Sequence, residues 1–375
     1  AQDMSALPET SALFSVLQRG ELSRAHVERF AAELAACHGS LLDSRSTGGP
    51  ALGYAEHVGS ILKHVSLHEG RMVLERPRPF GRVWEESAGA ASDVAGVMLE
   101  LDVFGKSQLA HCFLASWLNQ SGAFDALEVL RAQIARAALL AREPVAPGHH
   151  ERPAARVTLP ALLAAARARL EPSALPFLVI THGLSGSGKT TATRALVGTT
   201  PALAVSNDAE AHRLRFAGVR LDPGVVAAKL ESLALRCMRS GWPVIVESCF
   251  LSRDDRQRFR ATARAVGVPF AIVHCTAPLA LIGERLERRR SFGSLFHGSD
   301  AEGAAVQREL AAQIQRTDPL DEAEQAQAVV LDTAAALDVA RMTARLYELL
   351  DGGTPATWRS SAPEHPPGSQ ATPNC

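Results

Sequence analysis

The stretch Phe177–Thr191, FLVITHGLSGSGKTT, constrains this chain more than any other. It reads as a buried β-strand, a glycine-rich loop and the first turn of a helix. The loop matches G-x-x-x-x-G-K-[ST] at every fixed position, with Gly183, Gly188, Lys189 and Thr190. The physics of that pattern is specific. Glycines let main-chain N–H groups curl inward around phosphate oxygens, where a side chain would block the approach. The following helix points its positive end at the same anion. Lys189 reaches the outer phosphates, and Thr190 can place a hydroxyl on Mg²⁺. ATP and Mg²⁺ are therefore the expected ligands. The nucleotide set is Gly183, Ser185, Gly186, Ser187, Gly188, Lys189, Thr190 and Thr191. With average residue usage, four fixed positions meet by chance on the order of once in a hundred chains of this length. The alternative is a plain glycine turn between two core elements. The apolar strand after Pro176, and the lack of a helix breaker from Lys189 until Gly198, favour the phosphate loop.

Composition bounds the rest. At 375 residues the chain has room for two or three domains. Its 39 basic and 40 acidic residues balance, so no global field favours nucleic acid or a membrane surface. Six cysteines are scattered without a C-x-x-C, which points to a reducing compartment rather than a disulfide framework. No apolar run approaches the roughly 20 residues needed to span a bilayer. The chain opens on Ala1 and shows no signal-peptide pattern, and the expectation is a cytoplasmic protein or a fragment of one. No protein partner is evident.

Residues 1–142 read as mostly helical. Ser23 can cap a helix that carries Val27, Phe30, Leu34 and Cys37 on one stripe and closes at Gly39. Asp93–Phe104, Ser107–Leu118 and Phe124–Leu140 repeat apolar residues at helical spacing. Between them, Ile61–Glu86 has poor periodicity. Residues 143–154 are rich in proline and charge and read as a linker, followed by an alanine-rich helix over Leu159–Leu170. The tail 351–375 has almost no apolar pattern and is expected to be disordered.

The run Leu22–His38, the segment His64-Val65-Ser66-Leu67-His68 and the helices from Asp93 to Arg142 resemble the C-terminal lobe of aminoglycoside-phosphotransferase-like proteins. More specifically, the chain is similar to bacterial two-domain proteins that join such a lobe to a P-loop kinase. The resemblance implies a partial protein-kinase-like C-lobe. That family's catalytic loop has the form H-G-D-L-H-x-G-N, whose Asp is a base and whose Asn binds metal. Here Ser66 stands for the Asp, Arg71 for the Asn, and Gly81 for a later metal-binding Asp. Serine is no carboxylate base and arginine repels Mg²⁺, so the resemblance implies a catalytically dead remnant. A zinc site from His64 and His68 is the other reading of this segment. Two histidines four apart fit only a helix, and zinc asks for three or four ligands.

From 177 to 350 strands and helices alternate, the pattern of a parallel sheet covered on both faces. After the first strand the candidates are Ala202–Ser206, Pro243–Glu247, Phe270–Cys275 and Ala328–Leu331. Asp222-Pro223 reads as a helix cap, as do Ser252-x-x-Asp255, whose helix closes at Gly267, and Ser299-x-x-Glu302. The expected fold is a mostly α N-terminal domain (1–142), a linker and helix (143–176), and an α/β P-loop domain with five parallel strands (177–350). Ligands in such sheets bind beyond the carboxyl ends of the strands. There the chain places Asp208, which can take a proton from an attacking hydroxyl, and Glu247, which can hold Mg²⁺. Arg285, Arg288, Arg289 and Arg290 can stabilise charge on a transferring group, with Arg285 and Arg289 the leading pair. The plainer readings are a helix cap for Asp208, a loop-facing charge for Glu247 and a solvated face for the arginines.

The stretch 177–333 resembles the small P-loop kinases that include gluconate kinase, polynucleotide 5′-hydroxyl kinase, chloramphenicol phosphotransferase and the zeta toxins, a group placed with AAA-family ATPases. The matching landmarks are residues 183–191, Asn207-Asp208-Ala209-Glu210, the segment 244–251 and Thr276-x-Pro278 leading to Arg285-Leu286. Two positions depart. Ala211 stands where many relatives have Arg, for which Arg213 or Arg215 could substitute, and Glu247 stands where Asp is usual. The resemblance implies an ATP-dependent kinase acting on an unidentified hydroxyl, with nucleic acid an acceptor only as a short 5′-hydroxyl end. The alternative is an ATP-binding or ATP-hydrolysing switch without an acceptor. An active phosphotransferase in the N-terminal part is opposed by Ser66, Arg71 and Gly81.

Overall fold

The computed structural model describes residues 16–17, 19–45, 65–68, 71–74, 86–140, 159–170, 176–291 and 303–351. The N-terminal part is helical. Helices α1 (Arg24–Arg45), α2 (Glu86–Val103), α3 (Ser107–Ser121), α4 (Ala126–Leu140) and α5 (Leu159–Leu170) pack as α1 on α3, α2 on both α3 and α4, and α4 on α5. The apolar stripes read from the sequence are the ones buried. Val27, Phe30 and Leu34 face Phe113, Trp117 and their neighbours, and the Phe30 and Phe113 rings stack at 5.3 Å. Helix α1 does not stop at Gly39. A C-cap glycine adopts the left-handed conformation, and Gly39 does not, so the helix runs on to Arg45. Arg169 of α5 forks onto Asp102 at 2.6 and 2.8 Å, which ties this helix to the N-terminal bundle.

A buried polar chain locks three of these helices. The indole N–H of Trp117 donates to His38 Nδ1 at 3.2 Å, so His38 Nε2 carries its proton and donates to Asp93 at 3.0 Å. Strands β1 (Val65–His68) and β2 (Arg71–Leu74) form an antiparallel hairpin, with His68 opposite Arg71. The segment compared above with a catalytic loop thus includes this hairpin. An extended strand also removes the helical spacing that a zinc pair there would need. His64, Glu69 and Gly81 lie outside the described residues, as do the linker 143–154, the Ser299-x-x-Glu302 box and the tail after Asp351.

The second part is a parallel five-stranded sheet. Its strands are β3 (Leu178–His182), β4 (Leu203–Ser206), β5 (Val244–Glu247), β6 (Phe270–Thr276) and β7 (Ala328–Asp332), in the order β4-β5-β3-β6-β7. The near-continuous apolar runs of β3 and β5 predict this, because strands covered on both faces have no solvent side to keep polar, whereas Val330 on the edge strand β7 is exposed. Helices α6 (Lys189–Thr199), α7 (Asn207–Phe216), α8 (Pro223–Arg239), α9 (Arg253–Val266), α10 (Leu279–Ser291), α11 (Gly303–Gln315), α12 (Glu322–Ala326) and α13 (Val339–Asp351) complete it. The cap signals work as read at Asp222, which accepts from the Val225 amide, and at Gly267, which closes α9 in the left-handed conformation. Ser252 caps α9 through the Asp254 amide, while the full reciprocal capping box sits at Asp321 and Glu324 on α12.

One apolar core runs through both parts. Helix α3 packs on α6 and β4. His111 donates from Nε2 to the Ala202 carbonyl at 2.8 Å and stacks on Trp242. Burial drives its pKa down to about 4, so the ring is neutral. Arg24 donates to the Arg194 carbonyl at 2.7 Å, and Glu28 takes both Arg24 and Arg194.

Candidate active site

Strand β3 delivers the glycine-rich loop to the carboxyl edge of the sheet, and α6 carries it away. Gly183, Gly186 and Gly188 have φ of 141°, 82° and 91°, all in the region that favours glycine. A Cβ on Gly183 would collide with the Cys275 carbonyl, and one on Gly188 would sit 2.9 Å from the Thr333 side chain. Both glycines are therefore required by close approach as well as by backbone conformation. The Gly183 amide donates to the Cys249 carbonyl at 3.1 Å. Lys189 is 8% exposed and its ammonium rests on the Gly183 and Leu184 carbonyls at 3.0 and 2.8 Å. Those neutral acceptors are ones an anion in the loop would outcompete. The first amides of α6 lack intrahelical acceptors and face the same space. Ser187 is buried with its hydroxyl unpartnered, and Thr191 is exposed.

Thr190 and Glu247 meet. The Thr190 hydroxyl donates to Glu247 Oε1 at 2.5 Å, across 57 positions of sequence. A hydroxyl and a carboxylate oxygen at the mouth of the loop form an oxygen-only pair, the donor type that suits Mg²⁺, which takes few protein ligands and keeps waters and phosphate oxygens for the rest. Asp208 stands close by in topology: Ser206 is the register partner of Glu247, and Asp208 lies two residues beyond it. Ser206 is the N-cap of α7, so Asp208 is not the cap and stays exposed in the first turn. Arg213 does not take the place of the arginine absent at Ala211. It pairs with buried Glu210 and donates to the Asn119 carbonyl at 2.8 Å, on the N-terminal side. Arg215 is exposed.

Arg285 reaches the loop but is fully engaged there. It donates to the Gly186 carbonyl at 3.2 Å, to the Thr333 hydroxyl at 3.0 Å and to the Thr333 carbonyl at 2.6 Å. With Arg288, Thr333, Leu337 and Val339 it walls a cavity of about 720 Å³ beside Gly186, Gly188 and Thr191. Arg289 and Arg290 belong to α10, and their side chains lie outside the described residues.

Three supports of the site were not read from the sequence. Gln313 of α11 accepts the Ser185 amide at 2.9 Å and donates to the Ser185 hydroxyl at 3.0 Å. The Thr333 hydroxyl donates to the Ser187 carbonyl at 2.8 Å. Buried Arg256 and Glu324 form a two-pronged ion pair at 2.9 Å, and Arg256 also donates to the Phe250 and Leu251 carbonyls at 3.1 and 3.0 Å. Phe250, with φ of 45°, sits in the sparsely allowed left-handed region, and His182 gives its carbonyl a second donor at 3.0 Å. This pair anchors the turn that leaves Glu247 and supplies the Cys249 carbonyl to the glycine-rich loop. Its capping-box spelling, Asp321-x-x-Glu324, is the one signal that could have drawn attention to Glu324.

Residues 178–320 match a family model described as an AAA domain. Among solved structures, the chain is similar to a putative kinase from Chloroflexus aurantiacus, with 21% identity, 47% of this chain and 100% of that chain covered, and a TM-score of 0.39. It is also similar to a gluconokinase from Sinorhizobium meliloti, with 22% identity, 48% and 91% covered, and a TM-score of 0.32. A third likeness is to the APS kinase of Mycobacterium tuberculosis, with 19% identity, 47% and 98% covered, and a TM-score of 0.33. No curated protein matches the chain. Among the described residues, no helix is long and apolar enough to cross a membrane, and no cluster of three or more His, Cys, Asp or Glu is placed to hold a metal.

Proposed function

We propose that this protein is an ATP-dependent kinase that transfers the γ-phosphoryl group of ATP to a hydroxyl of a small molecule or of a short nucleic-acid end. The observation that carries the reading is the contact of Thr190 with Glu247 at the mouth of the phosphate loop. On this reading the loop amides and Lys189 bind the phosphates, and Thr190 and Glu247 hold Mg²⁺, which neutralises phosphate charge. The 720 Å³ cavity between Arg285 and Leu337 takes the nucleoside. Asp208 accepts the proton of the acceptor hydroxyl as its oxygen bonds to the γ-phosphorus and ADP leaves. A general base of this kind contributes about 10²–10⁴-fold. Arg285 has to exchange Gly186 and Thr333 for the transferring group before it can act there. Arg289, one turn further along α10, is the second candidate. The N-terminal part serves as a phosphotransferase-like remnant without catalysis of its own. Cys112, Cys237, Cys249 and Cys275 are in no disulfide, which supports a reducing, cytoplasmic setting.

One observation favours the switch reading. Arg24 and Glu28 grip α6, the helix that begins with Lys189, so the loop and the N-terminal helices share one element. Asp208→Ala separates the two. Measured with Mg²⁺-ATP and a panel of sugars, antibiotics, nucleosides and 5′-hydroxyl oligonucleotides, a kinase keeps ATP binding and loses acceptor-dependent turnover. A switch keeps both its binding and its basal hydrolysis, and shows no acceptor dependence in the parent protein. Lys189→Ala removes nucleotide binding in either case.

A further inference from the structure

A second cavity, of about 560 Å³, lies on the seam between the two parts, where α4 meets α8 and the start of α9. Its lining holds four arginines, Arg131, Arg236, Arg239 and Arg258, against two glutamates. Both glutamates already have partners. Glu128 pairs with Arg236 at 2.9 Å, and Glu231 takes Arg258 at 2.5 Å and the Thr262 hydroxyl at 2.6 Å. Arg131 and Arg239 have no carboxylate among the described residues. Arg131 is half-buried, and its Nε is shielded from solvent with no hydrogen-bond acceptor. Its guanidinium is pressed over Gly241, where a Cβ would come within 2.6 Å of Nη2.

Arginine does not escape such a setting by losing its proton. A half-desolvated guanidinium without a counter-ion is unfavourable unless an anion supplies the missing charge and acceptors. Ser232 and Ser240 add hydroxyls to the same wall. The planar fork of arginine matches phosphate in two-pronged fashion, and the cavity is of the size that holds small ligands. We propose that this cavity is a binding site for a phosphorylated small molecule, with Arg131 and Arg239 as its phosphate ligands, separate from the glycine-rich loop. Its walls come from α4 on one side and α8 on the other, so an occupant bridges the two parts of the chain.

The test is a titration of the full chain with inorganic pyrophosphate by isothermal calorimetry, in wild type, Lys189→Ala, and Lys189→Ala carrying Arg131→Met and Arg239→Met. Sulfate at equal ionic strength reports non-specific charge binding. The expected result is that Lys189→Ala retains one pyrophosphate site and that the added arginine substitutions weaken it at least tenfold. Arg239→Met alone, at an exposed position, is expected to weaken it several-fold without touching the fold, which circular dichroism checks. Loss of all binding in Lys189→Ala overturns the proposal and leaves the phosphate loop as the sole site. Retained binding that is indifferent to both arginines, or matched by sulfate, overturns it as well. If Lys189→Ala binds as wild type does and the arginine substitutions abolish binding, the proposal stands and the phosphate-loop reading is the one that fails.

Discussion

The buried pair of Arg256 and Glu324 gives the sharpest test of how the site is held. Both side chains are essentially inaccessible, at 0% and 1% exposure. Removing one partner leaves an uncompensated buried charge, which costs about 3–5 kcal/mol. Arg256→Met and Glu324→Gln are each expected to lose that much in urea denaturation followed by far-UV circular dichroism, with the slope unchanged. The double variant is expected to be more stable than either single one. It carries no buried charge, and the carboxamide introduced by Glu324→Gln can still accept the Asp321 amide as the carboxylate does. The carbonyls that Arg256 serves also keep other donors, His182 for Phe250 and the Asp318 amide for Leu251. Only the Pro319 carbonyl, at 3.3 Å, loses its partner. A deficit of about 1–2 kcal/mol is therefore expected for the double variant. A double variant as unstable as the two single losses added together would refute the reasoning, as would single losses below about 1 kcal/mol.

Acid should loosen the protein before its carboxylates titrate. His111 and His182 are buried, and burial is the largest cause that lowers each pKa to about 4. Protons then bind the unfolded chain more readily between about pH 6.5 and 4, so stability is whole above that window and falls as pH drops through it. Each histidine is expected to remove about 3 kcal/mol across the window, and a thermal midpoint that stays flat from pH 7 to 4.5 would contradict this. Gly183→Ala is expected to abolish ATP binding, because φ of 141° and the nearby Cys275 carbonyl leave no room for a methyl group; equilibrium dialysis with labelled ATP checks it. Arg24→Ala removes one charge-assisted bond to α6 and is expected to cost about 1–2 kcal/mol, read by urea denaturation. A loss indistinguishable from zero would mean that solvent replaces the bond.

What was legible in the sequence is what is local in the chain. The strand, loop and helix at 177–199 are one continuous stretch, with backbone demands written as glycines at fixed intervals. Helix ends at Asp222 and Gly267 are similarly local. The five strands followed from apolar runs between caps, while their order did not, because the neighbour of a parallel strand is set by the packing of crossover helices. Site residues divide in the same way. Glu247 and Asp208 could be offered as candidates from the sequence because strand ends in a parallel sheet converge. Gln313 and Thr333 lie 128 and 146 positions from the loop atoms they bond, in segments with no pattern of their own. Arg213 shows the converse error. Its place on the helix after Asp208 offered a substitute for the arginine absent at Ala211, but Glu210, three residues earlier, pairs with it.

The seam between the two parts follows from which strand ends the sheet. The order places β4 at one edge, and an edge strand needs cover for its flank. Helix α3 lies on β4 and α6, and His111 reaches the Ala202 carbonyl just before that strand. Trp242, just before the neighbouring strand, is buried beneath the same histidine. Without α3 this flank would expose Trp242 and the apolar face of β4. The N-terminal helices thus do for the sheet what a further crossover helix would do, and through Arg24 and Glu28 they also brace the helix that begins with Lys189. Covering a flank asks only for apolar volume in the right shape. On the proposed reading of the N-terminal part as a remnant, that demand is met by α3 through His111, with Ser66 and Arg71 standing where catalysis would ask for Asp and Asn.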